Sequence, residues 1–458
     1  MTKISTTPIL LLILSFFLTQ PLMASINSPA LVVGGADSND RAMLTVNNDD
    51  GRSWQNSYPD TSKGKFTTTK CSGAICIAAG QPFNLAQPNI PLLYFSNDRG
   101  TNWSLVNIPN TPRLTLFLKA SCTGEDSEAV CFAAGIGYPD GTLKSKNHFP
   151  VLVVTTDGGK TWVMPSLTLA ESQGTLEGGS CTGSGANAVC VVVGQYFSGT
   201  ILKPLILVSK DGGKNWLQNI VPSLPDNIFL NKVSCTGSGN NAICVALGQQ
   251  WHDGYSSVIL ASKDSGNTWA LKTILGEDTP EITDVSCAGT SPSAVCAVSG
   301  YRYDTLQRNN KSTSAMLATS EDNGSNWISK IDPDLHFKGT FTAVSCASSN
   351  NSAPFCIAVG QRDDAASAKY ALFASVDAGR TWSSQTLPTL STWTYRLDMH
   401  TLDGINCSTL QASVDCMVTG MGNLSQWGKD QGPIRAVAFT TEGLIFSNQW
   451  RVNGIWNS

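Results

Sequence analysis

Apolar residues fall in short, β-branched runs separated by polar turns, and no stretch of the chain sustains the 3.6-residue spacing of an amphipathic helix. Residues 231–274 show the pattern most clearly. A first apolar segment approaches Cys235, a second runs Ile243-Cys-Val-Ala-Leu-Gly248, a third Val258-Ile-Leu-Ala-Ser262, and a fourth follows Trp269. Runs this short and this rich in Val, Ile and Leu predict buried strands, four to the unit. One four-stranded antiparallel sheet cannot bury both faces alone, whereas sheets stacked radially can, with their edges protected.

The unit repeats. Asn47-Asn-Asp49-Asp-Gly51-Arg-Ser-Trp54 is followed by the equivalents at 96–103, 155–162, 209–216, 262–269, 320–327 and 375–382, with a worn copy at Thr440-Thr-Glu442-Gly443. Successive tryptophans lie 49, 59, 54, 53, 58 and 55 residues apart, a period that marks a repeat architecture. Asp49, Asp98, Asp157, Asp211, Asp264, Asp322 and Asp377 hold the third position, where a carboxylate accepts bonds from its own turn and a flanking Ser or Thr adds another. Glycine two residues later supplies φ > 0, and tryptophan opens the next strand with a ring to bury. These residues read as structural. Calcium would need a cluster of oxygen ligands that the motif lacks.

A cysteine pair recurs with the same period: Cys71/Cys76, Cys122/Cys131, Cys181/Cys190, Cys235/Cys244, Cys287/Cys296, Cys346/Cys356 and Cys407/Cys416. The intervening segment is a turn such as Thr-Gly-Ser-Gly (182–185, 236–239), so each pair is expected to staple the hairpin of the first two strands. No pair has two-residue spacing and the chain has 4 histidines, which argues against zinc, any other metal site or a redox motif. No cofactor is expected.

Blade bookkeeping gives an all-β propeller of four-stranded antiparallel blades. The first unit has Leu31-Val-Val-Gly-Gly35 as second strand, Met43–Val46 as third and a fourth after Trp54, but no first strand. The last unit has its first three strands and Ile445–Trp450 as fourth. If the tail, Arg451–Ser458, supplies the missing strand, the ring closes with eight blades; seven is the alternative, with one terminal unit irregular.

Residues 1–24 read as a signal peptide: Lys3, an apolar run from Ile9 to Leu18, and Ala24 at the cleavage point. The mature chain, 25–458, is then a single propeller domain, exported to the periplasm or secreted, with no integral membrane segment once the signal is removed. Fourteen cysteines suit an oxidising compartment. With 14% charged residues and a net charge of −4, and Lys and Arg scattered singly, nucleic acid is not an expected partner.

The repeated motif resembles that of the Asp-box (BNR-repeat) β-propellers over almost all of the mature chain. That superfamily includes sialidases and related glycosidases, sortilin-type receptors and photosystem assembly factors. The resemblance implies the fold and leaves function open, because the box is a turn common to all of them. A sialidase would also carry an arginine trio, a Tyr with a Glu partner and an Asp acid/base, with a Phe/Tyr-Arg-Ile-Pro motif ahead of the first box. That motif is missing, only Arg41 precedes the first box, and Arg302, Arg362 and Arg396 match no such spacing. No catalytic residue is carried over. Asp253, Asp363, Asp364 and Asp398 are the carboxylates a glycosidase could use, although solvated loop acids are commoner.

Binding is the expected function, through the face bearing the loops between second and third strands and between blades. Those loops hold Tyr138 with Asp140 and His148, Tyr196 with Phe197, then Trp251, His252 and Tyr255. They also hold Tyr301, Arg302 and Tyr303, then Arg362, then Trp427; the last inter-blade loop adds Trp393, Tyr395, Arg396 and His400. Tyr, Trp and Arg are typical interface anchors and aromatic rings stack on sugars, so a protein or a glycan is the expected partner. The plainer reading is that each ring packs its own loop. A glycoside hydrolase with divergent catalytic residues is the alternative function.

Overall fold

The computed structural model describes residues 31–36, 40–47, 55–59, 63–83, 91–143, 147–221, 224–251, 255–275, 280–303, 313–330, 335, 337–348, 353–363, 370–386, 390–391, 395–410, 413–426, 429–440 and 451–457. The fold is all-β: among these residues the strands form eight sheets of three to five strands, taken in chain order. The fifth sheet shows the plan, with Ile228–Thr236, Ile243–Trp251, Tyr255–Ser262 and Ala270–Lys272 paired antiparallel in sequence order. Among the described residues the first sheet has Leu31–Ala36, Ala42–Asn47 and Gln55–Ser57, the three strands the sequence predicts for it, without an innermost strand.

Each core cluster lies between one sheet and its successor, for example Val191, Ile206 and Val208 of the fourth against Leu230, Cys244 and Leu260 of the fifth. Serine hydroxyls stitch the innermost strands together at one level. Ser121, Ser180, Ser234, Ser286 and Ser345, each just before the first cysteine of its sheet, accept the backbone N–H of that cysteine in the next sheet. The acceptors serve Cys181, Cys235, Cys287, Cys346 and Cys407 in turn, at 2.8–3.1 Å. Lys70 and Asn406 hold the serine position at the two ends of the series. Lys70 Nζ donates to Asn406 Oδ1 at 3.4 Å, which brings the second and eighth sheets together. The arrangement is propeller-like.

All seven cysteine pairs are disulfides: Cys71–Cys76, Cys122–Cys131, Cys181–Cys190, Cys235–Cys244, Cys287–Cys296, Cys346–Cys356 and Cys407–Cys416. Each joins directly opposed residues of the first two strands of a sheet, with Cα–Cα distances of 4.0–4.1 Å. The bridges staple the first hairpin of each sheet, as the sequence predicts, and burial adds where they sit. Cys76, Cys131, Cys190, Cys244, Cys296, Cys356 and Cys416, on the second strands, are completely buried. The reason is their position on the second strand of each sheet, which carries the most apolar run of the unit and is covered on both faces by neighbouring sheets. Cys190, for instance, packs in the core between the third and fourth sheets, and Cys416 in that between the seventh and eighth. The bridges are therefore parts of the core, and these seven cysteines belong to no ligand-accessible site.

The six described boxes share one turn around the aspartate, and in five of them the tryptophan indole N–H donates to the glycine carbonyl; Trp103 Nε1 has no partner among the described residues. In the fourth sheet, Ser209 Oγ donates to Asp211 Oδ1 at 2.9 Å and accepts the Gly213 N–H at 3.0 Å. Asn215 donates its backbone N–H to Asp211 Oδ1 and its side-chain amide to Oδ2. Gly213 has φ 83°, and the Trp216 indole N–H donates to its carbonyl at 2.9 Å. The indole itself packs edge-on against Phe132 of the preceding sheet, centroids 6.2 Å apart. Burying such a ring contributes on the order of 2–3 kcal/mol. Asp49 and Trp54 lie outside the described residues.

The chain terminus brings a second correction. The tail does not complete the first sheet: Arg451–Asn457 pairs antiparallel with Lys429–Thr440 as the outermost strand of the eighth sheet. An alternating run, Arg-Val-Asn-Gly-Ile, fits an outer edge as well as an inner one, and the adjoining strand's register decides. The expected fourth strand at 445–450 lies outside the described residues. No helix among the described residues is long and apolar enough to cross a membrane.

Candidate functional site

A β-bulge recurs in the innermost strands and sets the geometry at one end of the sheets. In the fifth sheet Leu230 pairs with Gly248, Lys232 pairs with Leu247, and Asn231 is left over. The bulge drives the inner backbone towards its partner. A Cβ on Gly248 would sit 1.9 Å from the Phe229 carbonyl oxygen, so only glycine fits. Gly80, Gly135, Gly194, Gly300 and Gly360 face the same constraint.

Three residues beyond that glycine, within one residue of the end of the second strand, the residue in five consecutive sheets is aromatic: Phe83, Tyr138, Phe197, Trp251 and Tyr303. Phe83, Phe197, Trp251 and Tyr303 are 45%, 38%, 51% and 47% exposed, so these rings stand in solvent instead of filling the sheet interfaces. Asp363 takes the position in the seventh sheet. Phe83 is the member that sequence reading missed, although the Gly-x-x-aromatic spacing carries it.

The expected loop residues prove to be strand ends. Trp251 pairs with Tyr255, Tyr303 with Thr313, and Tyr196 with Lys203; Tyr395 and Arg396 open the long strand Tyr395–Leu410. Aromatic and β-branched residues let the ladders run past the apolar core, so these side chains are carried by paired backbone. Their roles differ. Tyr196 packs against the core between the third and fourth sheets. Tyr138 lies against His148, ring centroids 5.8 Å apart, and burial raises its phenol pKa. The Arg362 guanidinium sits over the Phe337 ring, 4.6 Å from its centroid. Arg302 is half-buried and pairs with Pro280 across the ladder. His252, Trp393 and Trp427 lie outside the described residues, as do the side chains of Tyr255, Tyr395, Arg396 and His400.

A polar cluster joins the fifth and sixth sheets. Gln249 Nε2 donates to Glu281 Oε2 at 3.3 Å, Glu281 pairs with Tyr301 across the ladder, and Tyr301 meets Tyr303 edge-on at 5.6 Å. The Tyr301 pKa is pushed up to about 12, by burial first and then by Tyr303 and the Glu281 charge. Burial also raises Glu281, against the bond from Gln249. A phenol beside a glutamate has the composition of a tyrosine nucleophile and its base. The shift has the wrong sign for that role, because it holds the proton on Tyr301 and makes it a hydrogen-bond donor.

No family model matches the chain, and no curated protein does. Three solved structures show the range of similar folds. YCF48 bound to a D1 peptide is 17% identical, covering 71% of this chain and 95% of its own, with a TM-score of 0.27. The lectin of Aleuria aurantia, a six-bladed β-propeller with a novel mode of fucose recognition, is 12% identical over 74% and 94% of the two chains, TM-score 0.35. The sialidase of Trypanosoma rangeli in complex with sialic acid is 11% identical over 72% of this chain and 54% of its own, TM-score 0.35. Likenesses this loose carry over no ligand and no site.

Proposed function

We propose that the chain is an exported, non-catalytic binding propeller, its eight sheets serving as blades, which grips a protein or glycan with the aromatic arc at the ends of the second strands. Residues 1–24 direct export in this reading, and 25–458 form the mature domain. The supporting observation is the recurrence of an aromatic three residues after the obligatory glycine in five consecutive sheets, with Phe83, Phe197, Trp251 and Tyr303 exposed. Solvent-exposed rings on rigid, paired backbone offer contact area at low entropic cost. The polar groups of Gln249, Glu281 and Tyr301 lie beside Trp251 and Tyr303 and would orient a hydroxyl-bearing ligand.

The glycosidase alternative has one observation in its favour, the Tyr301–Glu281 neighbourhood. The raised phenol and the engagement of Arg362 with Phe337 weigh against it.

The test is a glycan and peptide array probed with the oxidised mature protein, run beside hydrolysis of fluorogenic sialosides and other glycosides. Trp251→Ala and Tyr303→Ala should each weaken binding about tenfold or more, as interface anchors do, with the thermal midpoint unchanged. Turnover that disappears in Glu281→Gln would overturn the binding reading in favour of the enzyme. Binding that survives both aromatic substitutions would move the site elsewhere.

A further inference from the structure

The first sheet keeps a feature that only an innermost strand would require. Leu31 pairs with Asn47, the opening residue of its box, as Cys244 pairs with Ser262 in the fifth sheet. The same register puts Gly35 at the position of Gly248. At Gly80, Gly135, Gly194, Gly248, Gly300 and Gly360 an added Cβ would lie 1.9–2.0 Å from a carbonyl oxygen of the innermost strand. At Gly35 it would meet nothing within 4 Å among the described residues. Gly35 sits in the extended strand Leu31–Ala36, where the backbone itself makes no demand for glycine. The glycine fits a strand that the described residues of the first sheet do not supply.

The edge at that place is reached by solvent and has ladder groups to offer. Val33, Gly34, Gly35 and Ala36 are half-buried, whereas residues 243–248 of the fifth sheet are buried throughout. Cys235 and Cys244 are a close pair, Cα atoms 4.1 Å apart, as in a non-hydrogen-bonded pair. The next pair, Ser234 with Val245, is therefore the one that exchanges N–H···O bonds. Val32 holds the position of Val245 in the first sheet. Its carbonyl accepts the Thr69 hydroxyl of the second sheet at 2.7 Å, so this group points out of the ladder with Ala42–Asn47 and keeps a second lone pair. The contact of Lys70 with Asn406 is made by side-chain ends, which can give way to an incoming backbone.

The tail is committed elsewhere, since Arg451–Asn457 belongs to the eighth sheet. On the export reading, residues 25–30 precede Leu31 in the mature chain, six against the nine or more of every other innermost strand. We propose that the inner edge of Leu31–Ala36 accepts an extended segment of a partner protein, which adds as the innermost strand of the first sheet. The other sheets define its chemistry. It runs antiparallel to Leu31–Ala36, bulges beside Gly35, and carries serine or another small hydroxyl-bearing residue opposite Val32. That hydroxyl would accept the Cys71 N–H of the second sheet, as Ser121, Ser180, Ser234, Ser286 and Ser345 accept those of the cysteines in the sheets that follow them. Main-chain bonds supply affinity, and the bulge and the serine supply specificity. The site is separate from the aromatic arc and does not depend on it.

The probe is a synthetic peptide with the sequence of residues 228–236 carrying Cys235→Ala, because Leu31 stands where the partner cysteine would. A second peptide adds Ser234→Pro, which removes a ladder donor. Binding to the oxidised mature protein is followed by calorimetry and by hydrogen exchange of residues 31–36. The expected result is saturable binding of the first peptide with slowed exchange in that segment. Affinity should fall about tenfold or more for the proline peptide, and likewise for the Gly35→Ala protein, whose methyl would meet the carbonyl of the docked strand. The thermal midpoint of Gly35→Ala alone should stay at that of the parent, so its loss of binding is not a loss of fold. No saturable binding, or equal binding by the proline peptide or by Gly35→Ala, would overturn the proposal. Exchange of residues 31–36 in the free protein as slow as that of residues 243–248 would also overturn it. The edge would then be covered already, by the chain itself if the protection is independent of protein concentration and by a second copy if it is not.

Discussion

Gly248→Ala is the smallest change that probes whether the bulge organises the binding end of the fold. The added methyl would stand 1.9 Å from the Phe229 carbonyl oxygen and 2.9 Å from Leu230 Cα. Both are main-chain atoms of an innermost strand that is itself tied to its neighbours by Ser180 and Ser234. No side-chain rotation relieves such an overlap. The strand must move by about 1 Å, which strains the bulge and the ladder, or the local pairing must break. Overpacking in a well-filled interior costs typically 1–3 kcal/mol, and a clash with fixed backbone belongs at or above the top of that range; about 3 kcal/mol is expected here.

Gly35→Ala is the internal control. It lies in a strand of the first sheet with nothing among the described residues within 4 Å of an added Cβ, so the substitution should be neutral or stabilise by up to about 0.5 kcal/mol. Both variants are compared with the parent by urea unfolding under non-reducing conditions, with hydrogen exchange on residues 228–236 to localise the effect. Exchange matters because a chain of stacked sheets can open one sheet at a time. The expected signature is a lowered midpoint with faster exchange in that segment for Gly248→Ala alone. A Gly248→Ala protein within 1 kcal/mol of the parent, with unchanged exchange, would refute the argument that the bulge demands glycine.

Two further outcomes follow from the boxes and the staples. The carboxyls of Asp98, Asp157, Asp211, Asp264, Asp322 and Asp377 are lowered: burial alone would raise them, but the hydroxyl, amide and backbone donors of the turn outweigh it. Groups depressed in the folded state stabilise it above the ordinary carboxylate range, and that contribution is lost as pH falls through the lowered values. The urea midpoint should therefore drop steeply below about pH 4, and a flat profile between pH 5 and pH 2.5 would contradict the account. Replacing Cys235 and Cys244 together by alanine should cost at least about 2–3 kcal/mol, the loop-closure value for so short a staple, with the packing of the completely buried Cys244 lost in addition, read as a lower urea midpoint; an unchanged midpoint would show that the hairpin is already closed in the unfolded chain.

The parts of this fold legible in the sequence are those whose partners lie within one unit. Asp211, Ser209, Gly213, Asn215 and Trp216 complete their bonds within eight consecutive residues, so spacing alone reveals the turn. Cys235 and Cys244 face each other across one hairpin and are paired by the same locality. How deeply Cys244 and its counterparts are buried depends on the sheets stacked to either side, and no spacing within the unit reports that. The fate of Arg451–Asn457 was not legible either, because an alternating strand carries no mark of which sheet edge it joins.

Lys232 and Asp284 show the limit most clearly. They are isolated charges in the sequence, in different units, and composition alone reads each as an ordinary solvated residue. In the structure Lys232 Nζ lies 3.3 Å from Asp284 Oδ1. Each follows the bulge of its own innermost strand, so the two stand at the same level of neighbouring sheets. Local chemistry thus writes the sheet into the sequence, while a contact of this kind arises only from how the sheets are registered against one another.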